Sequence, residues 1–244
     1  MTLQLGRIPS ARPATFKLAK YGSKLPQPPA SAGHQSLADA QMFLNDQFGD
    51  CVCAGACHET LLWNREAGKT VTITDNSALG MYEAVAGYKP GQPSTDRGTD
   101  MQAAASWRRT TGVADASGVR HKIGAYIALD TGNRTELKQA IWLFGAAGLG
   151  IQFPASAMTQ FNAGKPWTVV KSSKIEGGHY VAAVGYDASY VYVITWGRVQ
   201  PMAWAFFDKY ADEALGYLST EFVTAGKSPE GFDLPTLQAD LAAL

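Results

Sequence analysis

The chain places its three cysteines within a stretch of seven residues. Gly49 and Asp50 are typical of a turn and a helix N-cap, and the small and apolar residues after them predict a helix that begins at Cys51. A thiol at a helix N-terminus faces unpaired N–H groups and the helix dipole, which favour the reactive thiolate. Cys51 is therefore a candidate nucleophile, whereas Cys53 and Cys57 lie on one helix face at a spacing typical of packing residues.

Two other interpretations of the cysteine cluster remain open. Together with His58 it has the pattern C-x-C-x3-C-H, which could bind a metal. That pattern is not a usual zinc spacing, and a single helix cannot wrap four ligands around one ion. Alternatively, all three cysteines are small buried hydrophobic residues. We expect neither a metal nor another cofactor.

A thiolate nucleophile needs a base, and His179 is the histidine best placed to supply one. His58 lies seven residues from Cys51, roughly 10 Å along a helix at about 1.5 Å per residue, and cannot reach the thiol. His179 follows two glycines and begins the apolar run 180–186, which is typical of a buried strand. The glycines leave room for another part of the chain to approach His179 closely.

Four segments in the same order resemble the papain-like cysteine peptidase family. They are Asn45-x4-Asp50-Cys51 at the start of a helix, residues 136–141, the aromatic-x-x-Gly segment 161–164, and residues 178–186 followed by 190–197. The match extends over about residues 38–200. The resemblance implies a helical lobe that carries Cys51 and faces a β-rich lobe that carries His179. A peptide or amide substrate would then bind in the cleft between the lobes.

The resemblance also implies catalytic roles. It makes Cys51 the nucleophile and His179 the general base. Asn45, six positions before the cysteine, corresponds to the oxyanion-hole glutamine of the family. Its shorter side-chain amide could still donate a hydrogen bond to a developing oxyanion.

Thr195 occupies the place of the asparagine that orients the histidine in this family. A turn at residues 187–189 and the alternation of side chains along strands put Thr195, and not Ile194, on the face of His179. A threonine hydroxyl can accept a hydrogen bond from imidazole, although more weakly than an amide oxygen. Trp196 would shield that contact from water.

Departures from the family pattern support a second hypothesis. Val52 replaces the tryptophan after the nucleophile, and Asp50 replaces a serine. A carboxylate beside Cys51 disfavours the thiolate. The chain also resembles uncharacterised products of phages and prophages. The alternative function is therefore a catalytically weak or inactive papain-fold structural protein of a phage particle, which assembles through its termini.

The elements that must position these residues are helices first and antiparallel strands second. This order predicts an α+β fold rather than a doubly wound parallel sheet. We predict three helices: one contains residues 79–86, one begins with a capping box at residues 99–102, and one begins at Asn133. We predict strands at residues 70–74, 149–153, 181–186 and 190–196.

The predicted domain organisation has three parts. Residues 38–222 form the papain-like domain, with a helical lobe over about 38–120 and a β lobe over about 121–222. Residues 223–244 form a C-terminal tail with a short helix. Residues 1–37 form an extended, proline-rich arm that is too short and too little helical for an inhibitory prodomain.

Charge is distributed unevenly between the two ends of the chain. No Asp or Glu precedes Asp39, whereas acidic residues dominate from Asp208 onward. We expect the arm to cross a surface other than its own core, with Arg7, Arg12 or Lys17 meeting carboxylates on a neighbouring subunit. The predicted partners are therefore a second copy of the chain or other phage structural proteins.

The composition argues against several classes of protein. Lys and Arg total 21, as do Asp and Glu, so the formal net charge is zero, which argues against a dedicated nucleic-acid binder. No run approaches the roughly 18 apolar residues of a membrane span. The N-terminal residues have no apolar core of a secretory signal, so we expect a location in the host cytoplasm or the virion.

Overall fold

The computed structural model of the chain describes residues 3–11, 17–21 and 25–221. Its helices are α1 (Cys51–Glu66), α2 (Asp75–Ala86), α3 (Met101–Thr110), α4 (Arg134–Phe144), α5 (Ala155–Asn162) and α6 (Trp204–Tyr210). Its strands are β1 (Arg7–Ile8), β2 (Ala32–Gly33), β3 (Thr99–Asp100), β4 (Val113–Ala114), β5 (Arg120–His121), β6 (Ile123–Ala128), β7 (Ala147–Pro154), β8 (Ile175–Tyr186), β9 (Tyr190–Thr195), β10 (Arg198–Ala203) and β11 (Ala211–Ser219).

The main sheet is antiparallel, as the sequence predicts. Within the described residues its strand order is β10-β9-β8-β7-β11-β6, and β2 adds to one end of β8. The helix α1 packs against β8, and α4 packs against both β11 and β8. The α+β fold with a helical lobe and a β lobe is therefore confirmed, and α1 and β8 form the contact between the lobes that matters for the site.

Small residues allow α1 to lie unusually close to β8. The first fourteen residues of α1 are all buried, so this helix is a core element rather than an amphipathic surface helix. A Cβ atom on Gly55 would lie 2.2 Å from the Tyr180 ring, which shows how closely the two backbones approach. This approach places Cys51, at the start of α1, beside the strand that carries His179.

Local capping explains where two sequence predictions are wrong. Residues 70–74 form no strand in the described structure, and Thr74 instead caps α2 through a reciprocal hydrogen-bond pair with Ser77. At α3 the cap is Asp100, whose carboxylate accepts from the Gln102 and Ala103 N–H groups, rather than Thr99. Asparagine and aspartate cap helices well, because a short side-chain oxygen reaches the unpaired N–H groups.

The remaining predicted elements are present, some with longer bounds. Asn133 caps α4 as predicted, and the strands expected at 149–153, 181–186 and 190–196 correspond to β7, β8 and β9. The predicted tail at 223–244 and Arg12 of the arm lie outside the described residues. Across the part of the chain that the structure describes, no helix has the length and apolar character needed to cross a membrane.

Candidate active site

Cys51 begins α1 and is only 2% exposed. Burial raises the pKa of its thiol to about 12, and this effect outweighs backbone hydrogen bonds with Tyr180, Gly6 and Val52 that lower it. The nearby Asp50 raises the thiol pKa further. The predicted position at the helix N-terminus is thus present, but the thiol is protonated in this conformation.

His179 lies in β8 and is completely buried. Its Nε2 atom lies 2.7 Å from Thr195 Oγ1, whereas its buried Nδ1 atom makes no hydrogen bond to any described residue. Burial lowers the pKa of the ring to about 3, so the imidazole is neutral. When Nε2 donates its proton to Thr195, the lone pair is on Nδ1, which is what a general base requires.

The sheet register places Thr195 on the face predicted from the sequence. Ala182 pairs with Ile194, so alternation brings Thr195 to the face of β8 that His179 occupies. An irregularity after Ala183 shifts the pairing by one residue nearer the turn. The register deduced from the turn therefore holds at the end of the hairpin where it positions the histidine.

Aromatic rings enclose the imidazole. The Trp196 ring stacks on His179, with ring centroids 4.0 Å apart and an interplanar angle of 14°. Phe153 approaches His179 edge-on at 5.5 Å and also packs on Trp196 at 5.3 Å. The contact between His179 and Thr195 is therefore shielded from water, as expected for Trp196.

Replacing Thr195 with valine should destabilise the fold by about 1–3 kcal/mol, because it leaves the buried Nε2 of His179 without a partner. The two side chains have the same shape, so the change removes the hydroxyl without creating a cavity. Urea unfolding measures the loss, with Thr159→Val on the exposed face of α5 as the matched control. Equal stability of the two variants would show that the hydroxyl does not hold the ring.

Asn45 lies beside the thiol, but its amide has other partners. Its Nδ2 atom donates to Phe48 O and Asp50 Oδ1, both at 3.2 Å. Burial raises the pKa of Asp50 well above its usual range, which favours the neutral acid. The structure therefore places Asn45 and Cys51 around one small cavity, with the side-chain amide of Asn45 already bound to Phe48 and Asp50.

Residues 3–8, which we call the covering segment, lie across the cleft over Cys51. On the helical side, Gln4 N–H donates to Asn45 O at 3.3 Å, and Gly6 O accepts from Thr99 N–H at 2.7 Å. On the β side, Gly6 N–H donates to Gly178 O at 3.2 Å. The covering segment thus contacts both walls as an extended peptide, and β1 within it pairs with β3.

Glycines make this close fit possible. A Cβ atom on Gly6 would lie 1.8 Å from Gly49 O, and one on Gly178 would lie 2.1 Å from Arg7 O. A Cβ atom on Gly98 would lie 2.0 Å from Gly6 O. All three contacts are with backbone atoms, which cannot rotate away as a flexible side chain could.

The expectation that the arm avoids its own core is therefore wrong for the covering segment. Arg7 does meet carboxylates, but these belong to Asp212 and Glu213 of the same chain. The chain itself therefore supplies the carboxylates that we expected on a neighbouring subunit. The uneven charge of the two chain ends was the available signal, because Arg7 lies in the basic N-terminal part and Asp212 and Glu213 lie in the acidic C-terminal part.

His58 lines a small cavity together with Cys51, and its ring centroid lies 4.9 Å from that of Phe43. Its burial affects the stability of the fold. Burial lowers its pKa to about 4 from an ordinary 6.5. As the pH falls, His58 therefore becomes protonated near pH 6.5 in the unfolded chain but only near pH 4 in the folded chain. Its contribution to stability is present above pH 6.5 and is lost as the pH falls towards 4.

We expect His58→Gln to reduce the acid sensitivity of the fold. The free energy of unfolding is measured in urea at pH 7.5 and at pH 5.0. The loss of unfolding free energy between these two pH values should be about 2 kcal/mol smaller in the variant than in the unmodified chain. Glutamine keeps an N–H donor but does not titrate. An identical pH dependence in both chains would contradict the assignment.

The cysteines are free thiols, and all three are buried. Among residues 3–11, 17–21 and 25–221, no group of three or more His, Cys, Asp or Glu side chains is arranged to hold a metal ion. The described surroundings of Cys51 are instead the backbone of Gly6, Val52 and Tyr180, with Asp50 nearby.

Comparison with known proteins identifies the fold. No protein-family model and no curated protein sequence matches the chain. The structure is similar to that of xylellain, a cysteine protease from Xylella fastidiosa, with a TM-score of 0.68, 13% identity, and coverage of 89% of this chain and 96% of that one. It is also similar to a procathepsin B from Trypanosoma congolense (TM-score 0.61, 11% identity, coverage 88% and 86%).

A cysteine protease from Carica candamarcensis gives a TM-score of 0.54 at 13% identity, covering 78% of this chain and 98% of that one. Identity at this level shows the fold alone. The chain therefore has the fold of papain-like cysteine proteases.

Proposed function

We propose that the chain is a papain-like cysteine peptidase or amidase that uses Cys51 and His179. The observation that carries this proposal is the state of the histidine: Thr195 holds Nε2, while Nδ1 has no hydrogen-bond partner among the described residues. Cys51 lies against the backbone of Tyr180, the residue that follows His179. An extended peptide, the covering segment, already lies at this point of the cleft.

In the proposed reaction His179 Nδ1 takes the proton from Cys51 Sγ as the sulfur attacks the amide carbonyl carbon. The carbonyl oxygen becomes an oxyanion, which the Cys51 backbone N–H and the Asn45 amide stabilise after Asn45 releases Asp50. His179 then gives the proton to the leaving amine as the C–N bond breaks. Water, activated by the same nitrogen, hydrolyses the thioester and restores the thiol.

The described conformation is the closed form of this site. A thiol pKa of about 12 and an imidazole pKa of about 3 both result from burial, so neither charged form is favoured. The covering segment must therefore leave before a substrate can bind. Its departure would hydrate both groups and bring their pKa values closer together.

Hydrolysis of a peptide library by the Gly6→Ala chain, followed by mass spectrometry, tests the proposal. The Cβ atom added at Gly6 displaces the covering segment, because it would overlap Gly49 O. We expect cleavage products that disappear in the same chain with Cys51→Ala. Absence of products, or identical products from both chains, would contradict peptidase activity.

The second candidate is a catalytically weak or inactive papain-fold structural protein of a phage particle. The observation that favours it is the same buried, uncharged state of Cys51 and His179, together with the aspartate that precedes the cysteine. Assembly through the termini, homo-oligomers, phage partners and a location in the host cytoplasm or virion all stay predictions of this candidate. Gel filtration of the full chain distinguishes it, because an assembling protein forms defined oligomers.

A further inference from the structure

The side chain of Arg7 extends from the covering segment into an acidic pocket. Its Nη1 atom lies 2.5 Å from Asp212 Oδ1, and its Nη2 atom lies 2.8 Å from Glu213 Oε2. Gln102 donates to the other oxygen of Glu213 at 3.1 Å and so fixes that carboxylate. The Arg7 side chain is 2% exposed, whereas those of Asp212 and Glu213 remain 24% and 14% exposed.

We propose that this pocket selects an arginine side chain of a peptide substrate, and that Arg7 is its tethered occupant in the closed form. The inference rests on the proposed function, because it names the substrate class of the same cleft. Two carboxylates that each bind a different guanidinium nitrogen suit the planar fork of arginine better than the single ammonium of lysine.

The covering segment makes two kinds of contact: Gly6 binds the cleft through its backbone, and Arg7 binds the pocket through its side chain. Gly6 binds Gly178 and Thr99 through its backbone alone, and its backbone also forms a hydrogen bond with Cys51. Such contacts accept any sequence with little side-chain bulk, as in other extended peptides that add to a strand. Selectivity must then come from the next side chain. A substrate arginine within two residues of the amide at Cys51 would reach the same carboxylates.

The pocket can also exist without Arg7. Its carboxylates are partly exposed, so water can solvate them when Arg7 leaves, and they belong to β11 and not to the covering segment. The Nε atom of Arg7 is buried and has no partner among the described residues, so Arg7 does not use its full bonding capacity. A cavity of about 590 Å³, lined in part by Gln102, Asp212 and Glu213, adjoins the ion pair.

Peptide binding in a Cys51→Ala background tests the pocket independently of catalysis. The probes are acetyl-Leu-Gly-Arg-Leu-amide and the same peptide with norleucine in place of arginine, and calorimetry measures their Kd. In the full chain carrying Gly6→Ala, which displaces the covering segment, and Arg7→Met, which removes the side chain that fills the pocket, we expect the arginine peptide to bind at least tenfold more tightly than the norleucine peptide. The same preference should be lost when Glu213→Gln is added.

Controls keep the inference separate from folding and from the proposed function. Arg134→Met removes an exposed arginine that pairs with Asp208 and should leave the weak binding of the closed chain unchanged. If the chain with both changes does not fold by circular dichroism, Gly6→Ala alone supplies an open cleft with the whole pocket intact and should show the same preference. Equal binding of both peptides to the folded open chain overturns the arginine pocket, even if Cys51-dependent hydrolysis is observed. Conversely, selective binding without hydrolysis supports the pocket and contradicts only the peptidase.

Discussion

Replacing Gly6 with alanine should raise the rate at which iodoacetamide alkylates Cys51 by at least tenfold. The new Cβ atom would lie 1.8 Å from Gly49 O, a backbone atom, so the covering segment must move. Water then reaches the thiol, and its pKa falls from about 12 towards the ordinary 9.0. Because the thiolate is the reactive species, complete relief of burial would raise the rate by about 10³-fold.

The matched control is Gly80→Ala. Gly80 lies in α2, and a Cβ atom there would meet nothing within 4 Å, so the same chemical change has no steric consequence. Mass spectrometry of digested protein gives the alkylation rate of each cysteine separately. If the rate at Cys51 is the same in both variants, the covering segment does not control access to the thiol.

Replacing Arg108 with methionine should cost about 3–5 kcal/mol of the free energy of unfolding. Arg108 in α3 pairs with Glu59 of α1 at 2.6 Å, and both side chains are buried. Glu59 also accepts a hydrogen bond from Tyr180 of β8 at 2.5 Å. The variant therefore leaves a buried carboxylate without its cation at the contact between the two walls of the cleft.

A double-mutant cycle checks this reason for the loss. Adding Glu59→Gln to Arg108→Met removes the unpaired charge and should recover part of the lost stability in urea unfolding. Arg134→Met breaks an exposed ion pair and should cost only about 0–1 kcal/mol. A loss of the same size in Arg108→Met and Arg134→Met would refute the buried charge as the cause.

Local signals explain what the sequence predicts correctly. The start of α1 at Cys51 follows from the turn residues before it, and the side on which Thr195 lies follows from strand alternation over one short hairpin. Each depends on residues close in sequence. The signal for the start of α3 is equally local, but Thr99 and Asp100 are both good N-cap residues. Thr99 pairs with β1 as part of β3, and Asp100 is therefore the residue that caps the helix.

The closed state of the site could not be predicted from local patterns. The pairing of Arg7 with Asp212 joins residues 205 positions apart, and no spacing rule links them. The pKa values of Cys51 and His179 depend on burial by the covering segment and by the aromatic rings, which only the folded chain defines. The helix N-terminus alone predicts a thiolate, and burial reverses that prediction.

The central claim is that Cys51 and His179 act together, and selective labelling tests it most directly. The Gly6→Ala chain is treated with a peptidyl chloromethyl ketone, and mass spectrometry locates the modified cysteine. We predict modification of Cys51 without Cys53 or Cys57, and a rate at least 100-fold lower when His179→Ala is added. Equal, slow modification of all three cysteines, or a rate unaffected by His179→Ala, would contradict the account.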